Sequence, residues 1–194
     1  MTRRPVVIAG LLVGIAAAAW LLYAGLPRFT RETPPAGPGA APATAGAERQ
    51  ISATLYYVSE DGLSLVTAKR DVRFGEPVAD QARHIVEAQL AESAAPLLSA
   101  IPAGTTLRSV FVSERGDAFV DLSADVTAKH TGGALDELFT VYTIVNALTE
   151  NLPAIKRVQI LVDGKEVDTL AGHVDLRHPL QKSLKWVKTE NEGS

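Results

Sequence analysis

The sequence predicts an α+β domain with a mostly antiparallel or mixed sheet of about six strands and two helices on one face. Two observations lead to this prediction. Pairs of strand-forming segments occur three times, each around a turn, and a helix with an apolar face separates each pair from the next. The order is therefore ββα-ββα-ββ. The domain follows an uncharged N-terminal stretch and a linker rich in Pro, Ala and Gly.

The first thirty residues predict a transmembrane signal anchor. The stretch from Pro5 to Leu26 contains no charged residue, and roughly 20 apolar residues cross the hydrocarbon core of a bilayer. A cleaved signal has a shorter apolar region, but the alanines at 16–19 leave cleavage open as an alternative. Residues 31–50 lack apolar periodicity and predict a linker. We expect a single-pass protein of the cytoplasmic membrane whose residues 51–179 form a periplasmic, extracytoplasmic domain.

The first half of this domain is predicted to be a hairpin followed by a helix. Strand formers run from 55 to 58, Asp61-Gly62 is a strong turn signal, and apolar residues resume at Leu63. Pro77 opens the helix, because the N–H that proline lacks has no partner at a first helical position. The apolar face of this helix consists of Val78, Ala82, Ile85, Val86, Gln89 and Leu90, with Gln89 as its weak member.

The second half repeats this plan and adds a final strand pair. A hairpin around 114–117 precedes a helix that follows Gly132-Gly133 and ends before Pro153. The last pair turns at Asp163-Gly164, and Leu161 interrupts its alternation, which indicates a strand with both faces partly covered. Residues 180–194 form a basic tail, expected to be a short helix or disordered. The apolar positions of the second helix are Leu135, Leu138, Tyr142, Val145 and Leu148.

The composition excludes several chemistries. The chain has no cysteine, so disulfides, thiolate catalysis and zinc–thiolate sites are excluded. Residues 51–188 contain 14 Lys and Arg against 18 Asp and Glu, a net charge of −4, whereas a nucleic-acid surface normally needs a basic excess. Nucleic acid is therefore not an expected partner. The chain also has no GxSxG elbow and no Gly-rich phosphate loop after a strand.

The main cluster of chemically capable side chains is LAGHVDLRHP, residues 170–179. On a strand, His173 and Asp175 share a face, whereas His178 needs a bend to join them. These three residues are weak candidates for metal ligands. We favour a structural interpretation: a closing strand in which Gly172 allows a bend, and His173 and Asp175 bond to neighbouring backbone.

Two further polar residues lie in apolar surroundings. Asp121 stands at a strand end, where aspartate usually binds backbone N–H groups of the next turn. Asn146 lies between Val145 and Ala147 and is expected to be buried and bonded to backbone. No catalytic residue and no cofactor site are predicted.

Together, these segments resemble the GerMN domain, a module named for sporulation and spore germination proteins. The similarity runs from about Thr54 to His178 and depends on the order and spacing of several stretches. Most of its weight lies in Asn146-Ala147-Leu148-Thr149, in the turn Val162-Asp163-Gly164-Lys165 and in Gly172-His173. The matching stretches are ATLYYVSEDGLSLV, IPAGTTLRSVFV, AFVDLS, TVYTIVNALTENLPAIKRVQILVDGKEVDTLAGHVDL and the closing HP.

The resemblance implies a non-catalytic domain on the outer side of a membrane. Its motif residues, expected to be structural, are Asp121, Asn146, Asp163, Gly164, Gly172 and His173. This chain differs from the germination proteins in having one copy and no lipobox cysteine, so we carry over the class of module and not its biology.

Two functions follow from these observations. The first is a membrane-anchored binding or assembly module of the bacterial cell envelope, with an envelope protein or a second copy as its partner. The alternative is a periplasmic metal-dependent or hydrolytic protein that uses His173 and Asp175, with Asp121 as a further acid.

Overall fold

The computed structural model describes residues 49–93 and 95–188, which lie in a compact unit spanning residues 46–194. The predicted membrane anchor at 1–30 and nearly all of the linker lie outside the described residues. Within the described ranges, no helix is both long and apolar enough to cross a bilayer. The elements there are β1 (Gln50–Val58), β2 (Leu65–Arg73), α1 (Val78–Leu90), β3 (Leu107–Val112), β4 (Asp117–Leu122), α2 (Asp125–Ala128), α3 (Ala134–Asn151), β5 (Arg157–Val162), β6 (Lys165–Glu166) and β7 (Leu180–Gln181).

The strands form two sheets, whereas the sequence predicts one sheet of about six strands. β1 and β2 pair antiparallel over their whole length as a separate two-stranded sheet. The second sheet has the order β3-β4-β5-β6, and β7 also pairs with β5. Its β4–β5 pair is parallel and its other pairs are antiparallel. The α+β class is confirmed, and α2 is a short helix that the sequence pattern does not predict.

The β1–β2 hairpin forms its own sheet because side chains occupy the edge of β1 that faces away from β2. Gln89 of α1 accepts a hydrogen bond from the Tyr56 N–H at 3.0 Å and donates to the Tyr56 carbonyl at 2.7 Å. Asn151 of α3 makes the same pair of bonds with Thr54, each at 2.8 Å. A carboxamide carries both a donor and an acceptor, so it replaces the partner strand. We call Gln89 and Asn151 the β1 edge clamps.

α1 and α3 contact both sheets and join them into one core. Ala53 of β1, Val110 of β3 and Ile144 of α3 belong to one cluster of buried apolar residues. From Phe139 to Leu148, α3 is buried almost all round, although the sequence predicts a single apolar face. The reason is the hairpin, which covers the side of α3 that a single-sheet fold leaves in solvent.

The helix ends lie close to their predicted positions. α1 begins at Val78, so Pro77 directly precedes the helix instead of opening it, and the Pro77 carbonyl accepts the Asp80 N–H at 2.9 Å. α3 begins directly after Gly133, whose φ of 93° suits glycine. It ends two residues before Pro153. Local signals therefore fix the helix ends well.

Residues 167–179, which we call the closing segment, are a series of bends, although the sequence predicts a strand over 170–179. No strand forms there because the Leu170 and His173 N–H groups bond to the buried Glu137 carboxylate. Other N–H groups, those of Gly172, Leu176 and Arg177, bond to atoms within the segment. The segment covers β5: Gln159 is 3% exposed and donates to the Leu176 carbonyl. β5 is therefore buried on both faces, as its irregular alternation indicates.

The tail after the closing segment adds to both sheets. Leu180–Gln181 form β7 beside β5, and Val187 bridges to Leu65 of β2. Residues 180–188 thus contain a short strand and a bridge, whereas the sequence suggests a short helix or a disordered tail.

Candidate functional site

The closing segment is held by the buried carboxylate of Glu137, in the first turn of α3. One oxygen, Oε1, accepts the Leu170 N–H at 2.7 Å. The other, Oε2, accepts the His173 N–H at 2.7 Å and lies 3.2 Å from the His173 Nδ1. Burial alone raises the pKa of Glu137, but backbone N–H groups of the closing segment outweigh it and hold this pKa below its usual value. Both oxygens are therefore engaged by the protein itself.

The structure does not bring His173, Asp175 and His178 to a common point. His173 contacts Glu137, whereas Asp175 binds the Arg177 side chain through Nε at 2.9 Å and Nη2 at 2.7 Å. These bonds from Arg177 hold the pKa of Asp175 well below its usual range. In the part of the chain that the structure describes, no group of three or more His, Asp or Glu side chains is placed to hold a metal ion.

Asp121 ties the end of β4 to the turn between β5 and β6. Its Oδ1 accepts the Gly164 N–H at 2.7 Å, and its Oδ2 accepts from the Arg108 Nε at 3.0 Å. The Arg108 Nη1 also lies 3.3 Å from Asp163 Oδ1. The sequence suggests that Asp121 binds the turn after its own strand. The bound turn instead follows β5, because β4 and β5 are parallel and end at the same edge.

The Asp163-Gly164 turn has positive φ at both central residues, 49° and 75°. This is the geometry of a type I′ hairpin turn, which favours the Asp-Gly pair. The backbone geometry of the turn therefore explains the Asp-Gly pair, and the Asp121 carboxylate stabilises the same turn by a tertiary hydrogen bond.

Asn146 fastens the tail to α3. It is fully buried, donates through Nδ2 to the Ser183 carbonyl at 2.8 Å and accepts the Ser183 N–H at 3.0 Å. The sequence indicates a buried amide bonded to backbone. The structure identifies its partner as a residue 37 positions away.

Sequence reasoning does not single out Glu137 or Asn151. An acidic residue in the first turn of a helix is common, since it complements the helix dipole. An asparagine at a helix end is equally common. Both signals point to local roles, whereas these side chains bind distant backbone. For Gln89 there is a usable signal, because a polar residue on an apolar helix face needs a partner once it is buried.

A pocket of about 190 Å³ lies between the end of β1 and the start of α3. In its lining, His130 Nδ1 accepts the Gly132 N–H at 3.0 Å, and His130 Nε2 lies 3.2 Å from Thr140 Oγ1. Lys129 pairs with Asp125 at 3.0 Å. These polar groups bond to one another, so the pocket offers little to orient a ligand.

The fold and these internally satisfied polar residues define a small α+β module of the GerMN type. The family model for sporulation and spore germination, Germane, matches residues 54–168, more than half of the chain. The chain belongs to this sporulation and spore germination family.

Solved structures agree with this fold. A putative lipoprotein from Clostridium perfringens is 23% identical with a TM-score of 0.50, over 69% of this chain and 88% of that one. The first GerMN domain of the sporulation protein GerM from Bacillus subtilis is 18% identical with a TM-score of 0.53, over 68% of this chain and 97% of that one. No curated protein sequence matches the chain.

Proposed function

We propose that this protein is a membrane-anchored, non-catalytic module that binds or assembles protein partners on the outer side of the cytoplasmic membrane. One observation carries this proposal: the polar residues best suited to chemistry bind the domain's own backbone. Glu137 holds the closing segment, Asp121 holds the β5–β6 turn and Asn146 holds the tail. A site that must bind or convert a substrate keeps such groups available.

The family and the N-terminal sequence support a place in the cell envelope. The uncharged stretch from Pro5 to Leu26 is long enough to cross a membrane, and the linker at 31–50 separates it from the domain. One solved protein of similar fold is named as a putative lipoprotein. The GerMN resemblance implies the same side of the membrane.

The anchor is tested with a charged variant of the full chain. Ala17→Arg combined with Leu21→Arg places two charges within the span, each costing roughly 2.5–3.5 kcal/mol at a helix centre. We expect the unmodified chain in the membrane fraction, with its domain cleaved by protease added to spheroplasts. The double variant should leave that fraction. The matched control, Ala40→Arg with Ala43→Arg, changes the linker and should stay in the membrane. A domain protected from external protease contradicts the proposed orientation.

The binding role is tested by crosslinking the full chain in cells. We expect the same envelope proteins to be recovered with the unmodified chain and with Glu166→Gln, an exposed change on β6. Recovery of no protein other than the chain itself contradicts a role in binding envelope proteins.

The alternative is a metal-dependent or hydrolytic protein that uses His173 and Asp175, and His173 contacts the Glu137 carboxylate. Metal analysis of the purified full chain separates the two functions. We expect no stoichiometric transition metal in the unmodified chain or in His173→Ala. Stoichiometric zinc that disappears in His173→Ala and persists in the control His178→Ala overturns our proposal.

A further inference from the structure

β3 is the terminal strand of its sheet, and its outer edge has backbone groups without a protein partner. The Ser113 N–H donates to the Asp117 carbonyl at 2.9 Å, which fixes the phase of the β3–β4 ladder. Bonded residues alternate in an antiparallel pair, so the backbone groups of Val110 and Val112 point away from β4. No residue of the described ranges bonds to these groups. They are therefore available to another strand.

An exposed aromatic side chain lies beside this edge. Phe111, between the two valines, is 63% exposed on the face of the sheet that points away from the helices. Its ring centroid lies 6.1 Å from that of Phe119 on β4. Edge strands are usually protected by charged side chains, proline or a β-bulge. The register shift of β3 lies between Leu107 and Ser109, so the stretch from Ser109 to Val112 has none of these devices.

The edges of the β1–β2 hairpin differ from the β3 edge. The β1 edge clamps occupy one side of the hairpin. On the other side, the Leu65 N–H and carbonyl of β2 bond to Trp186 and Lys188, and the stretch that follows carries the exposed charges of Lys69, Arg70 and Asp71. Charged side chains protect an edge strand from pairing. β3 is therefore the apolar edge suited to pairing with a copy of itself.

We propose that two copies of this chain pair through β3, antiparallel, about a two-fold axis at Phe111. Val110 of each copy then lies opposite Val112 of the other, which gives about four backbone hydrogen bonds. The two Phe111 rings lie side by side and extend the Phe111–Phe119 pair across the interface. Arg108 stays outside the paired stretch, because the register of β3 shifts between Leu107 and Ser109 and the Arg108 side chain is bonded to Asp121.

The geometry is self-complementary, as a two-fold interface requires. The two five-stranded sheets become one continuous sheet, and both β3 edges are covered. This pairing does not depend on the proposed envelope role, since it uses only residues of the domain. Loss of the membrane anchor or of a protein partner therefore leaves it unaffected.

Cysteine crosslinking tests this register directly, because the chain has no cysteine of its own. In the proposed dimer, Ser109 lies opposite Ser113 of the other copy in a non-hydrogen-bonded pair, about 4.5 Å between Cα atoms. A disulfide needs about 4.4–6.8 Å. Coexpressed full chains carrying Ser109→Cys and Ser113→Cys, treated with copper phenanthroline as oxidant, should form a disulfide-linked dimer. Either variant alone should not, because its two thiols lie about 14 Å apart.

A charged substitution tests the contact at the axis. Phe111→Lys in both coexpressed chains places like charges opposite each other and should lower the crosslinked fraction at least tenfold. Leu63→Lys, at another exposed apolar residue, is the matched control and should leave the fraction unchanged. Circular dichroism checks that each variant is folded. Folded chains that crosslink no better as a pair than singly overturn the proposal, as does equal crosslinking with Phe111→Lys.

Discussion

At the scale of single residues, Glu137 determines the path of the closing segment, in which residues 170–179 look like a strand in the sequence. We expect Glu137→Gln to lower the free energy of unfolding by about 3 kcal/mol, since an amide NH₂ then faces backbone N–H groups that have lost their acceptor. Urea denaturation of the full chain in detergent measures this change. The exposed Glu166→Gln is the control and should change stability by less than about 0.5 kcal/mol. Equal stability of the two variants contradicts the role of Glu137.

The Glu137 carboxylate should also make the free energy of unfolding depend on pH. The native pKa of Glu137 lies below its usual value of 4.5, so the unfolded chain binds more protons in this range. The stabilisation is therefore complete above about pH 4.5 and is lost as pH falls through the native pKa. We expect the difference in unfolding free energy between the unmodified chain and Glu137→Gln to be constant near neutrality and to shrink in acid. A difference that is the same at pH 7 and pH 3 contradicts this assignment.

The buried Tyr56 phenol should make stability depend on pH at the alkaline end of the scale. Burial, aided by the charge of Glu150, raises the pKa of Tyr56 to about 12. Its contribution to stability is present below the usual value of 10 and is lost as pH rises through about 12. Absorbance at 295 nm should show that Tyr56→Phe removes a tyrosinate step near pH 12. Removal of a step near pH 10 contradicts a buried phenol.

At the scale of elements, the β1 edge clamps explain why the hairpin is a separate sheet. Gln89→Met removes both bonds to Tyr56 and leaves a buried N–H and carbonyl without partners. We expect a loss of about 2–4 kcal/mol. We also expect faster hydrogen exchange at the Tyr56 amide, with the Thr54 amide less affected. Asn151→Leu is the reciprocal control, with the order of the two amides reversed. Equal acceleration at both amides in both variants contradicts independent clamps.

The elements also show which features a sequence can predict. Pro77, Gly133, Pro153 and Asp163-Gly164 act on their own backbone, so helix ends and the last turn follow from neighbouring residues. The division into two sheets does not, because it depends on Asn151 meeting a strand 97 residues away.

The same distinction between local and distant partners holds for the candidate site. The sequence identifies Asp121, Asn146 and His173 as polar groups that need partners. The sequence does not indicate which groups they bind. Asp121 reaches the Gly164 N–H because β4 and β5 are parallel and end at the same edge. His173 reaches the Glu137 carboxylate because the closing segment packs against α3.

At the scale of the whole molecule, the shared core predicts that both sheets unfold together. Trp186 stacks near Tyr142 of α3, with ring centroids 5.1 Å apart, and its carbonyl accepts the Leu65 N–H of β2. In a Trp20→Phe background, its fluorescence reports on the hairpin side of the domain. We expect this signal and far-ultraviolet circular dichroism to change at the same urea concentration. Loss of fluorescence at lower urea contradicts a single cooperative unit.

The positions of the two β1 edge clamps along the chain determine when each one becomes available to β1 during synthesis. Gln89 emerges 33 residues after Tyr56, whereas Asn151 emerges 97 residues after Thr54. At roughly 5–20 residues per second, the second interval lasts on the order of 5–20 s. During it, a nascent β1 presents half of its edge to any other extended chain nearby. A pause before Asn151 has left the ribosome lengthens that exposure, and the same pause after its emergence does not.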